Sequence, residues 1–362
     1  MLDICVSFDY ELFFGQNNGT VEEILFSPTD KLLKLLKEEN ISTTFFADIC
    51  SYIRHSELFG EDCEYCVKFS DQLKQMLKNR QDIQLHIHPH WMHSYFADEK
   101  WIFDQDHYKL QDFGYESDYK LNVQSIVSKG ITAIKTILGK DYNCIAFRAG
   151  GLSIQPEDKL IEILHQNGIL IDSSIAPGMR TIGGKEGYDF KAVQRKTLNW
   201  RISTQNGISQ NDSSSKENVL FEVPVATVKN NIFRLLTINP KKLRLNTNNI
   251  NGTFFKSEKI SFLLKSIRKL HTFYRRMAGY SMLSLDTKGY ELLLKELSAI
   301  YKRYNCSQKD AAITLICHPK MLSDQAIANI KSLIDNVKKH PNKYNFCNMT
   351  DIANKYISTG GV

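Results

Sequence analysis

Along the chain, short apolar runs alternate with longer stretches whose apolar residues recur three and four positions apart. LDICVSF (2–8) reads as a strand, and PTDKLLKLLKEEN (28–40) as a helix with leucines on one face and Ser27 or Thr29 as its cap. The unit recurs as ISTTFFAD (41–48) with VKFSDQLKQMLKN (67–79), then as DIQL (82–85) with a helix near 118–138. CIAFRAGG (144–151) is a strand running into glycines, and PEDKLIEILHQNG (156–168) is a helix with proline near its start and glycine past its end. ILIDSS (169–174), LFEVPVAT (220–227) and AAITLICHP (311–319) continue the strands. Helices fall at 286–304 and 323–339, and YNFCNMTDIANKYI (344–357) holds a last strand and helix.

This order predicts an α/β fold, a closed or nearly closed parallel β/α barrel, with a doubly wound open sheet as the alternative. We expect one domain over 1–362, interrupted by a loop insertion at 92–117, a polar loop insertion at 176–218 and a basic insertion at 228–285.

Charge changes that picture in one place. The net charge is +6, yet Lys229 to Arg276 alone holds twelve basic residues against the single acid Glu258. Basic residues interleaved with FRLL, FF, SFLL and FY suggest an anionic partner, either a substrate or an anionic membrane surface met through 229–276. No nucleic-acid recognition motif accompanies them. The eight cysteines are scattered, several beside apolar runs, as buried thiols in a reducing compartment would be; Cys63 and Cys66 form one C-x-x-C without a second pair. No apolar run is long enough for a membrane span and the start does not read as a signal peptide. The expected location is cytoplasmic, peripheral at the inner face of the membrane if the basic segment binds lipid. The oligomeric state stays open.

The chemistry gathers at strand ends. LHIHPHW (85–91) places His86, His88 and His90 where a strand stops, because Pro89 cannot donate to a ladder. Residues i and i+2 share a strand face, and an i, i+4 pair across a turn can also converge, so a divalent-metal site follows with either pairing open. SFDYE brings Asp9 and Glu11, FRAGG brings Arg148, and ICHP brings His318. In a β/α barrel all these ends lie on one face.

SFDYE, LHIHPH, AFRAGG, IDSS, FEVP and LICHP follow the motif order of the polysaccharide deacetylases with a NodB-homology domain, a carbohydrate esterase family, which the chain resembles over about 1–175, 219–227 and from about 286 onward. The resemblance implies a distorted parallel β/α barrel of the NodB-homology type, a divalent metal with zinc the first expectation, and an acetylated glycan as substrate. It implies Asp9 as catalytic base, Arg148 as the residue holding it, His318 as catalytic acid, and His86 with His90 as metal ligands, His88 being the alternative. The chain departs from the family at Tyr10, which stands where a ligating aspartate is usual; phenol titrates near 10 and Glu11, one residue on, can take that place. Trp91, Gly150 and Asp172 are the candidates for contacting substrate, although the aspartate-tryptophan ending of the family's fourth motif is missing after Asp172.

A metal held by one carboxylate and two imidazoles keeps positions open for water and an acetyl oxygen. Asp9 would accept the water proton and His318 would protonate the leaving amine. Two other readings stay in play: a non-catalytic barrel that binds a glycan or a membrane, and a hydrolase of a non-sugar C–N bond.

Overall fold

In a computed structural model of the chain, the described residues are 1–14, 19–118, 120–181, 187–193, 198–209, 219–230, 279–286 and 289–358. Strand and helix alternate as β1 (Leu2–Tyr10), α1 (Ser27–Glu38), β2 (Thr44–Asp48), α2 (Ile49–Phe59), α3 (Glu64–Lys78) and β3 (Asp82–Ile87). A hairpin of β4 (Tyr95–Ala97) and β5 (Lys100–Ile102) follows, then α4 (Val123–Leu138), β6 (Ala146–Ala149), α5 (Asp158–Gln166) and β7 (Ile171–Asp172). Next come β8 (Trp200–Ser203), β9 (Val219–Glu222), β10 (Thr227–Lys229) and β11 (Tyr280–Met282). The chain continues through α6 (Tyr290–Arg303), β12 (Ala311–Cys317), α7 (Asp324–Lys338), β13 (Tyr344–Phe346) and α8 (Met349–Ile352).

The main sheet runs β12–β1–β2–β3–β6–β7–β9–β8, with β13 also paired to β1. Every pairing in it is parallel except β8 with β9. Past β9 the chain reaches β12: Val225 bridges Thr314 in parallel, and the Ala226 N–H donates to the Thr314 carbonyl at 2.9 Å. The sheet therefore curls toward closure, a distorted barrel joined by a bridge where a full strand pair would stand. The segment expected as a polar loop at 176–218 supplies β8, whose Trp200 and Ile202 are buried while Arg201 is exposed. Four alternating residues inside a polar stretch are too short a signal to read as a strand beforehand.

Side-chain alternation divides the core into two layers. From β1, Leu2, Ile4, Val6, Phe8 and Tyr10 join the large apolar layer between sheet and helices. Cys5 faces the other way, into a smaller cluster inside the barrel with Phe46, Ala146, Ile171, Phe221, Val223 and Ala312. Because β-strand side chains alternate with period two, Ser7, Asp9 and Glu11 follow Cys5 inward. Tyr10 is forced outward, where its hydroxyl donates to Gln72 Oε1 on α3 at 2.7 Å. The phenol is part of the helix layer and has no access to the barrel mouth.

The insertion at 92–117 contains the β4–β5 hairpin and a 3-10 turn at Leu110–Phe113. The ends of the 228–285 insertion are clamped together by antiparallel pairing of β10 with β11. Its basic stretch, apart from Lys229, lies outside the described residues. No helix among the described residues is long and apolar enough to cross a membrane.

Candidate active site

The C-terminal ends of the parallel strands converge on one polar pocket. β1 delivers Asp9 and then Glu11; β3 delivers His86 and then His88; β6 delivers Arg148; the chain after β12 delivers His318 and Lys320. All are buried except His318, whose side chain is 25% exposed and marks the open side.

Glu11, His86 and His88 form one donor group, with the candidate ligand atoms all within 4.8 Å of one another. Glu11 Oε2 lies 3.3 Å from His86 Nε2 and also contacts His88 Nε2, whereas Oε1 accepts from Lys320 Nζ at 2.9 Å. Oε2 thus meets the His86 and His88 imidazoles, while Oε1 meets the ammonium and lies 3.5 Å from His318 Nε2. His86 Nδ1 donates to the Arg148 carbonyl at 2.8 Å, so in the neutral ring Nε2 carries a lone pair directed at Glu11. A cation between that lone pair and the carboxylate satisfies both, and a His–backbone bond of this kind is what orients a metal-ligating imidazole. The residues present therefore fit a divalent metal.

For His88 and Glu11 the electrostatics agree. Burial pulls the His88 imidazole down to about 4, against the pull of Glu11, so the ring is neutral and available as a ligand near pH 7. Burial alone would raise Glu11, but Lys320 and His88 hold its carboxyl well below the usual range. Burial also lowers His86, but Asp9 and Glu11 outweigh it and the net direction is upward.

Beside this group stands an acid–base arrangement. Arg148 is fully buried and donates to Asp9 Oδ1 at 2.5 Å; its other donors reach the Ser173 carbonyl at 2.9 Å and Ser173 Oγ at 3.0 Å. Asp9 Oδ2 is left facing His318 Nε2 at 3.7 Å. His318 Nδ1 donates to Asp286 Oδ2 at 2.7 Å, which fixes the tautomer. Burial works against the charged imidazole, yet Asp286 outweighs it and raises His318 above its ordinary value.

His90, expected as second ligand to His86, lies outside the donor group, its ring centroid 5.6 Å from that of His88. Pro89 opens a 3-10 turn over Pro89–His93, which breaks strand alternation, so His88 follows His86 inward and His90 does not. Its ring lies against Trp91, Phe103, Tyr108 and Phe14, and neither ring nitrogen has a hydrogen-bond partner among the described residues. Trp91, expected to meet substrate, is 1% exposed and packs on His55, Trp101 and Phe103 as core. Asp172 is fully buried, accepts from Ser174 Oγ at 2.7 Å and pairs in register with Glu222. No face of it is left for a substrate. Gly150 serves the site by its lack of a side chain: a Cβ there would lie 2.6 Å from the Ile87 carbonyl oxygen and 2.7 Å from His88 Nδ1.

Three residues escaped the sequence reading. Asp48, at the end of β2, accepts from the His88 N–H at 3.2 Å, and burial pushes its carboxyl up to about 7 against the pull of His86. The strand-end acid in TFFAD was its available signal. Lys320 stands in the 3-10 turn Pro319–Met321 that follows His318, where strand alternation gives no cue. Asp286 stands just past the basic insertion, where the sequence predicted the start of a helix, and nothing local pointed to it.

No protein-family model and no curated protein matches this chain. Among solved structures, a Mycobacterium smegmatis protein described as a polysaccharide deacetylase superposes with TM-score 0.52 at 13% identity, covering 100% of this chain and 92% of its own. An allantoinase superposes with TM-score 0.51 at 11% identity, covering 100% of this chain and 91% of its own. A 4-alpha-glucanotransferase from Thermococcus litoralis reaches 0.50 at 9% identity, and this chain spans 40% of its length. Three activities on one scaffold mean that chemistry must be argued from the site. In its architecture, this chain has the polysaccharide deacetylase fold.

Proposed function

We propose that the protein is a metal-dependent hydrolase removing acetyl groups from N-acetylated sugars of a polysaccharide or glycan precursor. One observation carries the reading: Asp9 is clamped through one oxygen by Arg148 and turns the other toward His318, beside the Glu11, His86 and His88 group. A divalent ion, zinc by its preference for nitrogen and oxygen donors, would be held by Glu11, His86 and His88, and when bound it would acidify water and polarise the acetyl carbonyl. Arg148 clamps and orients the Asp9 carboxylate through Oδ1, and Oδ2 accepts the proton as water oxygen bonds to the acetyl carbon. His318, kept protonated by Asp286, delivers a proton to the sugar nitrogen as the C–N bond breaks, leaving acetate and a free amine. Lys320 holds Glu11 Oε1 and leaves Oε2 to face the imidazoles. Eight free cysteines, seven of them buried, support a cytoplasmic setting.

Hydrolysis of a non-sugar C–N bond is the second reading, because an allantoinase shares the fold. Acetate release from N-acetylated oligosaccharides, run beside ring-opening of cyclic ureides, separates the two. In the same preparations Asp9→Asn should keep its metal and lose roughly a hundredfold or more in rate. His88→Ala should lose the metal and His90→Ala should retain it. Near-native acetate release by Asp9→Asn, or a full metal complement in His88→Ala, would overturn the assignment.

A further inference from the structure

Outside the candidate active site, a second group of donors stands in the 92–117 insertion. His93 closes the 3-10 turn after Pro89, and Asp104 and His107 follow the β4–β5 hairpin. From these residues we infer a second divalent-cation site, held by His93 Nδ1, Asp104 Oδ2 and His107 Nδ1, that staples the hairpin forming the aromatic wall beside His90. This goes beyond the hydrolase reading and does not depend on it.

The geometry is that of a face of a tetrahedron. Bonds of about 2.0–2.1 Å from zinc to nitrogen or oxygen give ligand–ligand edges of about 3.3 Å. Here the edges are 3.3 Å between the two Nδ1 atoms, 3.5 Å from His93 Nδ1 to Asp104 Oδ2, and 2.6 Å from His107 Nδ1 to the same oxygen. Two edges already match and the third need only open from hydrogen-bond length. Without a cation, His107 can give its one Nδ1 proton to Asp104, and His93 Nδ1 then faces a nitrogen and an oxygen that share that single proton. A cation satisfies all three donors with both imidazoles neutral.

The donors are positioned in advance. Asp104 Oδ1 accepts from the Asp106 N–H at 2.8 Å and its own N–H donates to Ser94 Oγ at 3.2 Å, which leaves Oδ2 directed at the histidines. Phe113 packs under both rings, with centroids at 4.9 Å from His93 and 4.6 Å from His107. The Asp104 side chain is 10% exposed whereas His93 and His107 are 43% and 31% exposed, so an ion can enter from solvent and complete its shell with water. Two imidazoles and one carboxylate suit zinc and neighbouring transition metals over magnesium or calcium.

The consequence follows from the neighbours. Phe103 precedes Asp104 and Tyr108 follows His107, and their rings lie 5.8 and 6.2 Å from that of His90, with Phe103 also 5.0 Å from Trp91. An ion joining residue 93 to residues 104 and 107 would tie both feet of the hairpin and hold this wall in place.

The test uses the full chain, stripped with chelator and titrated with zinc, with bound metal counted after equilibrium dialysis. The expected count is about two ions per chain in wild type and about one in either His107→Ala or His93→Gln. His86→Ala should also hold about one, and His86→Ala/His107→Ala about none. In the His86→Ala background zinc should raise Tm and slow proteolysis within 92–117, and adding His107→Ala should abolish both effects. A wild-type count of one that His107→Ala and His93→Gln leave unchanged overturns the second site. Loss of metal with His86→Ala in that case would still stand for the first site, so the two assignments fail separately.

Discussion

Replacing Arg148 with methionine removes a fully buried cation and leaves three groups to fend for themselves. Asp9 loses a 2.5 Å hydrogen bond to an opposite charge, and the Ser173 carbonyl and hydroxyl lose theirs at 2.9 and 3.0 Å. Charge centres roughly 4 Å apart attract by about 4 kcal/mol at an effective dielectric near 20. Breaking one partner of a buried pair costs about 3–5 kcal/mol, because the remaining charge stays buried and uncompensated. Arg148→Met should therefore lose about 3–5 kcal/mol of stability. Adding Asp9→Asn should return part of that loss, since no unpaired charge then remains. Equilibrium urea unfolding of wild type, both single variants and the double variant gives the coupling energy, expected at about 2–3 kcal/mol. A double variant as unstable as the sum of the singles would refute the reasoning, and would mean that Arg148 stabilises through Ser173 and its packing over Phe46, 4.1 Å from the ring centroid, and not through Asp9.

The Asp172–Glu222 pair should make stability fall as pH rises. Burial raises both carboxyls and Asp172 raises Glu222 further, so the folded state binds more protons than the unfolded state between the ordinary carboxylate range and the raised folded values. Glu222→Gln should flatten the dependence above about pH 5 by up to about 1.4 kcal/mol per pH unit, and parallel stability–pH curves would contradict it. Asp286→Asn should lower kcat more than it changes KM and move the alkaline limb of the kcat profile to lower pH, because a weaker hold on the His318 proton lets it leave earlier; an unmoved limb would remove Asp286 from its positioning role. Vesicle flotation should show binding to anionic but not neutral lipid that weakens with salt, each basic residue of 229–276 near the surface contributing on the order of 1 kcal/mol. Indifference to lipid charge would leave that segment without a membrane role.

Much of the site was legible because strand alternation is local covalent geometry. Asp9 and Glu11 must share a face, as must His86 and His88, and Tyr10 must take the opposite one, whatever the rest of the chain does. The order of apolar runs likewise carried the β/α barrel. Tertiary structure decided what local periodicity does not encode. The 3-10 turn at Pro89 separates His90 from His86 and His88, and packing against neighbours buries Trp91 and Asp172. Parallel pairing of β12 with β1 brings the β12 end, with His318 and Lys320, against Asp9 and Glu11 some 310 residues earlier. Asp286 reaches His318 from just past the basic insertion, and His93 meets Asp104 and His107 only because a hairpin folds back between them. A strand's own sequence settles which way its side chains point, but which strand ends meet depends on sheet order and curl, and those are properties of the whole chain.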